Sequence, residues 1–135
     1  MKLLRTSHLL VGLLFLAVFV ASGQYMDLAL EHLRGMADGP RLLYRSAHIY
    51  LLFVALLNLL LGCYLQVHGA PRARTLQLLG STIMLVSPVL MTLSFILESQ
   101  DDGLIRPLAR AAIYGSLVGV GMHFFSGLME RRNTE

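Results

Sequence analysis

Two of the five histidines lie in the first and the last apolar stretches of the chain, where an ionisable side chain is costly and needs a partner. They are His8 in the first stretch and His123 in the last. The rise of a helix places His8 about 10 Å and His123 about 7 Å from their helix midpoints, toward the same side of the membrane. First and fourth helices of a bundle are usually neighbours. Because neutral imidazole binds metals and haem iron, the pair predicts either bis-imidazole ligation of haem b or an interhelical hydrogen bond.

A second polar set lies at the opposite end, on one face of the second helix. Arg41, Arg45 and His48 are spaced at i, i+4 and i+7. Such a face can hold an anionic group, either a haem propionate or a lipid phosphate, or serve a quinone site. Alternatively, the arginines extend their charged ends into water and His48 bonds locally. Arg45 and His48 are therefore candidate cofactor-binding residues, together with His8 and His123.

Small residues recur at every fourth position of the last apolar stretch. They are Ala111, Gly115, Gly119 and Gly127, and His123 occupies the remaining position of that series. Small side chains let another backbone approach closely, which drives helix association in lipid. This glycine face predicts helix packing, or space for a flat ligand beside His123, or an interface with a second copy of the chain.

Asn58 lies near the middle of the second apolar stretch, where its amide needs a hydrogen-bond partner worth about 1–2 kcal/mol at best. Pro88 has no N–H, so the Met84 carbonyl loses its usual helical donor. We predict helix packing as the role of Asn58; a small polar pocket formed with the Met84 carbonyl and Ser87 is the alternative. The hydroxyl partners that we predict for Asn58 in the third helix are Ser81, Thr82, Ser87 and Thr92.

The elements that position these residues follow from hydropathy. The chain has 56% hydrophobic and 14% charged residues, whereas a soluble domain has about 25% charged residues. Four apolar runs are each long enough for a hydrocarbon core of about 30 Å, in which only helices satisfy the backbone. The sequence therefore predicts an all-α, integral membrane four-helix bundle of two helical hairpins, forming a single transmembrane domain over residues 1–135. The predicted helices span about 4–37 (with an extramembrane extension), 40–66, 75–97 and 108–129.

The first apolar stretch has two interpretations. Residues 1–23 have a basic start, an apolar stretch and a small-residue end, which is also typical of a cleaved signal peptide. However, apolar residues continue at helical spacing past Gly23 until Gly39 and Pro40. Signal-peptide apolar regions span only about 7–15 residues, so we favour a retained helix.

The distribution of basic residues predicts the orientation. With four spans, the side of both termini carries six Arg or Lys residues and the opposite side five, which favours cytoplasmic termini in the inner membrane. The six residues are Lys2, Arg5, Arg72, Arg74, Arg131 and Arg132. Since the basic residues lie at helix ends rather than in one patch, they do not indicate nucleic-acid binding. The expected partners are the lipid bilayer and either a second copy or another membrane subunit.

The sequence lacks the residues and motifs that several kinds of protein function require. No Asp, Glu or Lys lies deep in a predicted span, which argues against a proton-coupled pump or a charged ion filter. No P-loop, metalloprotease, thiol-redox or nucleophile-elbow motif is present. The single cysteine, Cys63, excludes an internal disulfide. The sequence leaves enzymatic activity open but favours a non-enzyme.

Two features resemble the small bacterial haem-pathway membrane proteins of the four-helix protoporphyrinogen oxidase type. They are the early histidine, His8, and the second-helix ending LLLGCYL at 59–65. That family relies on a lysine in its third helix, and this chain has no lysine after Lys2. The resemblance implies that haem or porphyrin is among the candidate ligands, without identifying the chain as a member.

The sequence thus predicts a small multi-pass membrane protein, an accessory or cofactor-binding component rather than an autonomous enzyme. One alternative is a b-type haem or quinone-interacting redox protein that uses His8 and His123. The other is a structural subunit that self-associates through the glycine face of the last helix.

Overall fold

The computed structural model describes residues 2–100 and 105–132 and is all-helical over those residues. Its four long helices are α1 (Lys2–Leu28), α2 (Asp38–Tyr64), α3 (Pro71–Leu97) and α4 (Pro107–Arg132). All four are long and apolar enough to cross a membrane, which confirms the prediction at that level. The predicted single domain includes residues 1, 101–104 and 133–135, which lie outside the described ranges.

The first helix is shorter than predicted, because it ends at Leu28 instead of continuing to residue 37. The chain has only nine residues in which to reverse direction before α2 begins at Asp38. A short 3-10 helix at Glu31–Leu33 makes that reversal, with positive φ angles at all three residues. Leu33 is buried, so the apolar residues that suggested a longer helix instead pack on the core.

Close backbone contacts define two tight helix pairs. α1 packs along α2, and a Cβ atom on Gly12 would lie 2.8 Å from the Leu59 backbone nitrogen. α4 packs along α3 in the same way, with Gly80 and Gly119 facing each other. α2 also packs on α3, whereas α1 and α4 share no extended contact in the described residues. The centre of the bundle is therefore formed mainly by α2 and α3.

Long-range hydrogen bonds bring the start of α1, the end of α2, the start of α3 and the end of α4 together. The guanidinium of Arg5 donates to the carbonyls of Gly62 and Cys63 at the end of α2. The carboxylate of Glu130 accepts from the backbone nitrogens of Gly69 and Ala70, just before α3. We call this the proximal end of the bundle and the opposite end the distal end.

The interior has an apolar and a polar part. The largest buried apolar cluster lies on the distal side of Asn58 and includes Leu51, Val54 and Met91. On the proximal side, the buried side chains of the interior are mostly polar, including His8, Gln77 and Ser81. This polar layer is where the two predicted histidines meet.

Candidate functional site at a buried histidine pair

His8 is fully buried at the proximal end of α1, although it is only six residues from the start of that helix. Its Nδ1 atom lies 2.7 Å from Oδ1 of Asn58 on α2. The contact is possible because α1 and α2 approach closely on both sides of it. Gly12 lies against Leu59, and Gly62 lies against Leu9.

The orientation of the Asn58 amide determines the tautomer of His8. Nδ2 of Asn58 donates to two backbone carbonyls, those of Val54 and Met84, each at 2.9 Å. Oδ1 must therefore face His8, and an amide oxygen can only accept. Nδ1 of His8 carries the hydrogen, and Nε2 of the neutral ring carries an unprotonated lone pair.

That lone pair has no partner. Nε2 of His8 is buried and makes no hydrogen bond in the part of the chain that the structure describes. Most buried polar side-chain atoms in proteins are paired, and an unpaired one costs about 1–3 kcal/mol. His8 is therefore held by its other nitrogen in an orientation that leaves a ligand atom free.

The structure brings His123 of α4 next to His8. The two ring centroids are 6.4 Å apart and the ring planes are inclined by 73°. Nε2 of His123 lies 3.2 Å from the Ser81 hydroxyl of α3, and its ring passes over Gly80, where a side chain would collide. The pair forms although α1 and α4 share no extended contact, because both rings extend into the polar layer.

A groove between α2 and α4 leads from the surface to His123. Its volume is about 420 Å³, within the range of small-molecule sites. His123 and Met84 are among its lining residues, together with apolar side chains that include Leu57, Leu61 and Val120. An apolar ligand in the membrane can therefore approach His123 without crossing the bundle.

Arg45 and His48 belong to a different part of the molecule. Fourteen residues of α1, about 21 Å, separate His8 from Ser22, whose hydroxyl bonds Nδ1 of His48 at 2.8 Å. The His48 ring also stacks on Phe19, with ring centroids 4.1 Å apart. Arg45 is exposed. The four predicted cofactor-binding residues therefore belong to two separate sites. His8 and His123 lie at the proximal end of the bundle, and Arg45 and His48 lie at the distal end.

The glycine face is used mainly inside the chain. Gly115 lies against Ile83 and Ser87, and a Cβ atom on Gly119 would lie 2.8 Å from Cγ of Met84. Ala111 is exposed, because steps of four residues drift around a helix with about 3.6 residues per turn. The buried face of α4 instead follows Ala109, Ala112, Ser116, Gly119 and Ser126. At Gly127 a side chain would meet open space.

A buried ionic cluster, which the sequence did not predict, lies at the distal end. Arg106 donates to the hydroxyls of Ser46 on α2 and Ser94 on α3, and its Nε lies 4.0 Å from the Glu98 carboxylate. Glu98 accepts from Ser94 and from the backbone nitrogens of Leu108 and Ala109 in the first turn of α4. One carboxylate thereby caps α4 and balances a buried guanidinium.

The surroundings shift both ionisable groups of this cluster. Burial alone raises the pKa of Glu98, but the hydrogen bonds that it accepts and the charge of Arg106 together hold that pKa below its ordinary value. Burial lowers the pKa of Arg106, and the charge of Glu98 opposes that change. In the sequence, an acid after one apolar run and an arginine before the next look like ordinary helix-end charges, so no signal distinguished this pair.

The partners predicted for Asn58 were wrong in detail. The four hydroxyl side chains that we expected do not bond its amide; Thr82, Ser87 and Thr92 each bond a carbonyl one turn earlier in α3. The Met84 carbonyl left free by Pro88 is the partner instead, together with His8. The amide therefore joins three helices, and it does so beside the histidine pair.

We expect Asn58→Leu to lower the free energy of unfolding by about 1–2 kcal/mol, because it removes the interhelical bonds to His8 and Met84. Unfolding of the detergent-solubilised protein by sodium dodecyl sulfate, followed by circular dichroism, measures this change. Thr82→Val is the matched control, since Thr82 is exposed and bonds only its own helix at Leu78. Equal losses in the two variants would contradict the three-helix role of Asn58.

Comparison with known protein families, with curated proteins and with solved structures finds no match to this chain. The class that the fold supports is a small protein with four helices able to span a membrane.

Proposed function

We propose that this protein is an accessory membrane component that binds a cofactor at His8 and His123, rather than an autonomous enzyme. The observation that carries the proposal is the buried Nε2 of His8, which has no hydrogen-bond partner in the described residues. The His8 ring lies beside the His123 ring, with the two centroids 6.4 Å apart. A nitrogen whose lone pair is free and whose ring is held by a hydrogen bond on the other side is the usual arrangement of a metal-binding histidine. A bound ligand would remove the cost of that unpaired atom.

The groove supports the proposal because it provides a route of entry. His123 lines the groove and also faces His8, so a ligand that enters between α2 and α4 meets His123 first. The groove is predominantly apolar with few polar groups, as is common for sites that receive membrane-soluble molecules. Movement of the His123 side chain would then connect the groove with Nε2 of His8.

A b-type haem or quinone-interacting redox protein is the second candidate. Haem would be held by the imidazoles of His8 and His123, whose ring centroids lie 6.4 Å apart. A quinone would instead occupy the groove and accept a hydrogen bond from His123. Arg45 and His48 lie at the far end of the bundle, so they do not contribute to either site.

Self-association through the glycine face is the third candidate, and only part of that face is available for it. Gly115 and Gly119 already contact α3, whereas Gly127 faces open space. An interface of this kind would therefore use the proximal half of α4. Gly127→Leu should dissociate such an oligomer in detergent without changing the fold of the monomer.

Native mass spectrometry of the protein extracted from its own membranes tests the proposed function. We expect a bound mass that is absent from His8→Phe and His123→Phe but present in His48→Phe. The last variant is the matched control, because His48 is a half-buried histidine at the distal end. An absorbance spectrum identifies haem by its Soret band. The proposal would be rejected if neither the wild type nor any of the three variants carried a bound mass. It would also be rejected if the His8 and His123 variants retained that mass.

The proposal also places the proximal end in the cytoplasm of a bacterial cell, with the inner membrane as location. The narrow excess of Arg and Lys at that end supports this orientation. A membrane-impermeant maleimide tests it on Gly69→Cys in a Cys63→Ser background. We expect labelling of the turn before α3 only after the membrane is opened, and labelling of intact spheroplasts would reverse the assignment.

A further inference from the structure

We propose that the ligand of the histidine pair is a single Cu(I) ion held between His8 and His123, with the Met84 thioether as a third donor. This inference rests on the proposed function for its location and adds the identity of the ligand. Its support comes from the ring geometry, the available donor atoms and the charge of the surrounding layer.

The ring separation suits one ion on a straight line between two nitrogens. With a metal–nitrogen distance of about 2.0 Å on each side, the two ring centroids would lie about 6.2 Å apart. The observed separation is 6.4 Å, so the spacing of the rings fits one ion, and the His123 ring must turn from the Ser81 hydroxyl if its Nε2 is to bind that ion. Cu(I) accepts such a nearly linear arrangement, whereas Zn²⁺ prefers four tetrahedral ligands.

The space at His8 favours an ion over a macrocycle. His8 is fully buried, and no water-sized gap is open at its Nε2 atom. A porphyrin is a flat macrocycle much wider than a single ion, so it would displace protein atoms around the fully buried His8. A lone ion instead replaces the contact between two neighbouring rings, and the helices can keep their packing.

The third donor of the proposed site is the Met84 thioether. It is fully buried, it lines the groove with His123, and its own backbone carbonyl bonds Asn58, which orients His8. Met84 packs on Gly119, one helical turn from His123. A methionine side chain has three rotatable bonds and a polarisable sulfur, so its thioether can turn toward the ring pair.

The donor set selects a soft ion. In the described residues, no group of three His, Cys, Asp or Glu side chains is close enough to hold a metal. Two imidazoles and a thioether suit Cu(I), which prefers soft ligands and tolerates low coordination numbers. Harder divalent ions would lack the oxygen or thiolate ligands that they require.

The charge of the layer around the histidine pair also favours the monovalent Cu(I) ion over a divalent ion. His8, Asn58, Ser81, Met84 and His123 supply no negative charge to balance a cation in this layer. The cost of burying an ion in a medium of low dielectric grows with the square of its charge. A monovalent cation therefore costs about one quarter as much as a divalent one at this place.

Titration with Cu(I) in detergent tests the inference, under anaerobic conditions and against the chelator bicinchoninate. We expect one ion per wild-type chain, loss of binding in His8→Phe and in His123→Phe, and unchanged binding in His48→Phe. Circular dichroism of each variant distinguishes loss of the site from loss of the fold. X-ray absorption of the copper-loaded protein should show two nitrogen ligands and one sulfur, and Met84→Leu should remove only the sulfur.

Other outcomes separate this inference from the proposed function. No Cu(I) binding by folded wild-type protein, or equal affinity for Zn(II), would overturn the copper site. A bound organic mass or a Soret band that disappears in His8→Phe would then leave the proposed function standing with another ligand. Copper binding that survives in both histidine variants would overturn the assignment of the site, and a wild-type spectrum without sulfur would overturn the role of Met84.

Discussion

Glu98→Ala should lower the free energy of unfolding by about 3–5 kcal/mol, which is a large part of the stability of a small domain. The substitution leaves the Arg106 guanidinium buried without its counter-charge. It also removes the acceptor for the two backbone nitrogens of Leu108 and Ala109. Unfolding of the detergent-solubilised protein by sodium dodecyl sulfate, followed by circular dichroism, measures the loss.

Two further variants resolve this effect into its parts. Glu98→Gln keeps an oxygen for the helix cap but removes the charge, so we expect a loss that is clearly smaller than that of Glu98→Ala. Glu31→Ala is the control, because Glu31 is an exposed acid at the same end of the bundle. It should change stability by less than about 0.5 kcal/mol. A Glu98→Ala variant as stable as this control would show that Arg106 is not an uncompensated charge.

The lowered pKa of Glu98 also predicts a pH dependence of stability. A carboxyl group whose folded pKa lies below its unfolded pKa stabilises the fold fully above the unfolded value. That contribution is lost as the pH falls from about 4.3, the ordinary value for glutamate, through the lower folded value. Wild-type protein should therefore lose stability in this acidic range. Glu98→Gln should lack this component, and parallel curves for both proteins would contradict the prediction.

Gly119→Leu should destabilise the protein by about 3 kcal/mol, because the added side chain has no space against α3. Its Cβ atom would lie 2.8 Å from Cγ of Met84 and 3.1 Å from the Gly80 carbonyl oxygen. The methionine side chain can move, but the carbonyl belongs to the backbone of a helix. The same unfolding assay should show the loss in monomeric protein.

Gly121→Leu is a control of the same chemistry two residues away on α4. A side chain at Gly121 meets nothing within 4 Å. Replacing a helical glycine favours the helix by up to about 1 kcal/mol, so this variant should be unchanged or more stable. If Gly119→Leu dissociated an oligomer while its monomer kept wild-type stability, the packing of Gly119 on α3 would be wrong.

Part of the candidate site could be predicted because a proline in a helix leaves one backbone carbonyl without its usual partner. Pro88 has no N–H, so the Met84 carbonyl needed a donor from another helix, and the Asn58 amide provides it. Depth along a helix follows from residue number, and this is why His8 and His123 could be expected at the same level. Both features follow from the position of a residue along a single helix, which the sequence gives directly.

Other features depend on which helix faces which, and the sequence does not report that. Glu98 and Arg106 have the appearance of two helix-end charges until α2, α3 and α4 meet around them. The tautomer of His8 depends on the orientation of the Asn58 amide, and Asn58 is fifty residues away. The end of α1 at Leu28 depends on the need to bring α2 back beside it.

Hydropathy alone determined that the described part of the chain has four helices of membrane-spanning length, because a backbone in lipid has few other ways to satisfy its hydrogen bonds. Tertiary structure decided which polar groups became partners, and it left Nε2 of His8 among the buried side-chain atoms that have no partner in the described residues. The reason is that hydrophobicity is a property of each residue, whereas a hydrogen bond between helices depends on the relative rotation and distance of both. A free nitrogen deep in the bundle, and the ligand that we propose for it, therefore became visible only in three dimensions.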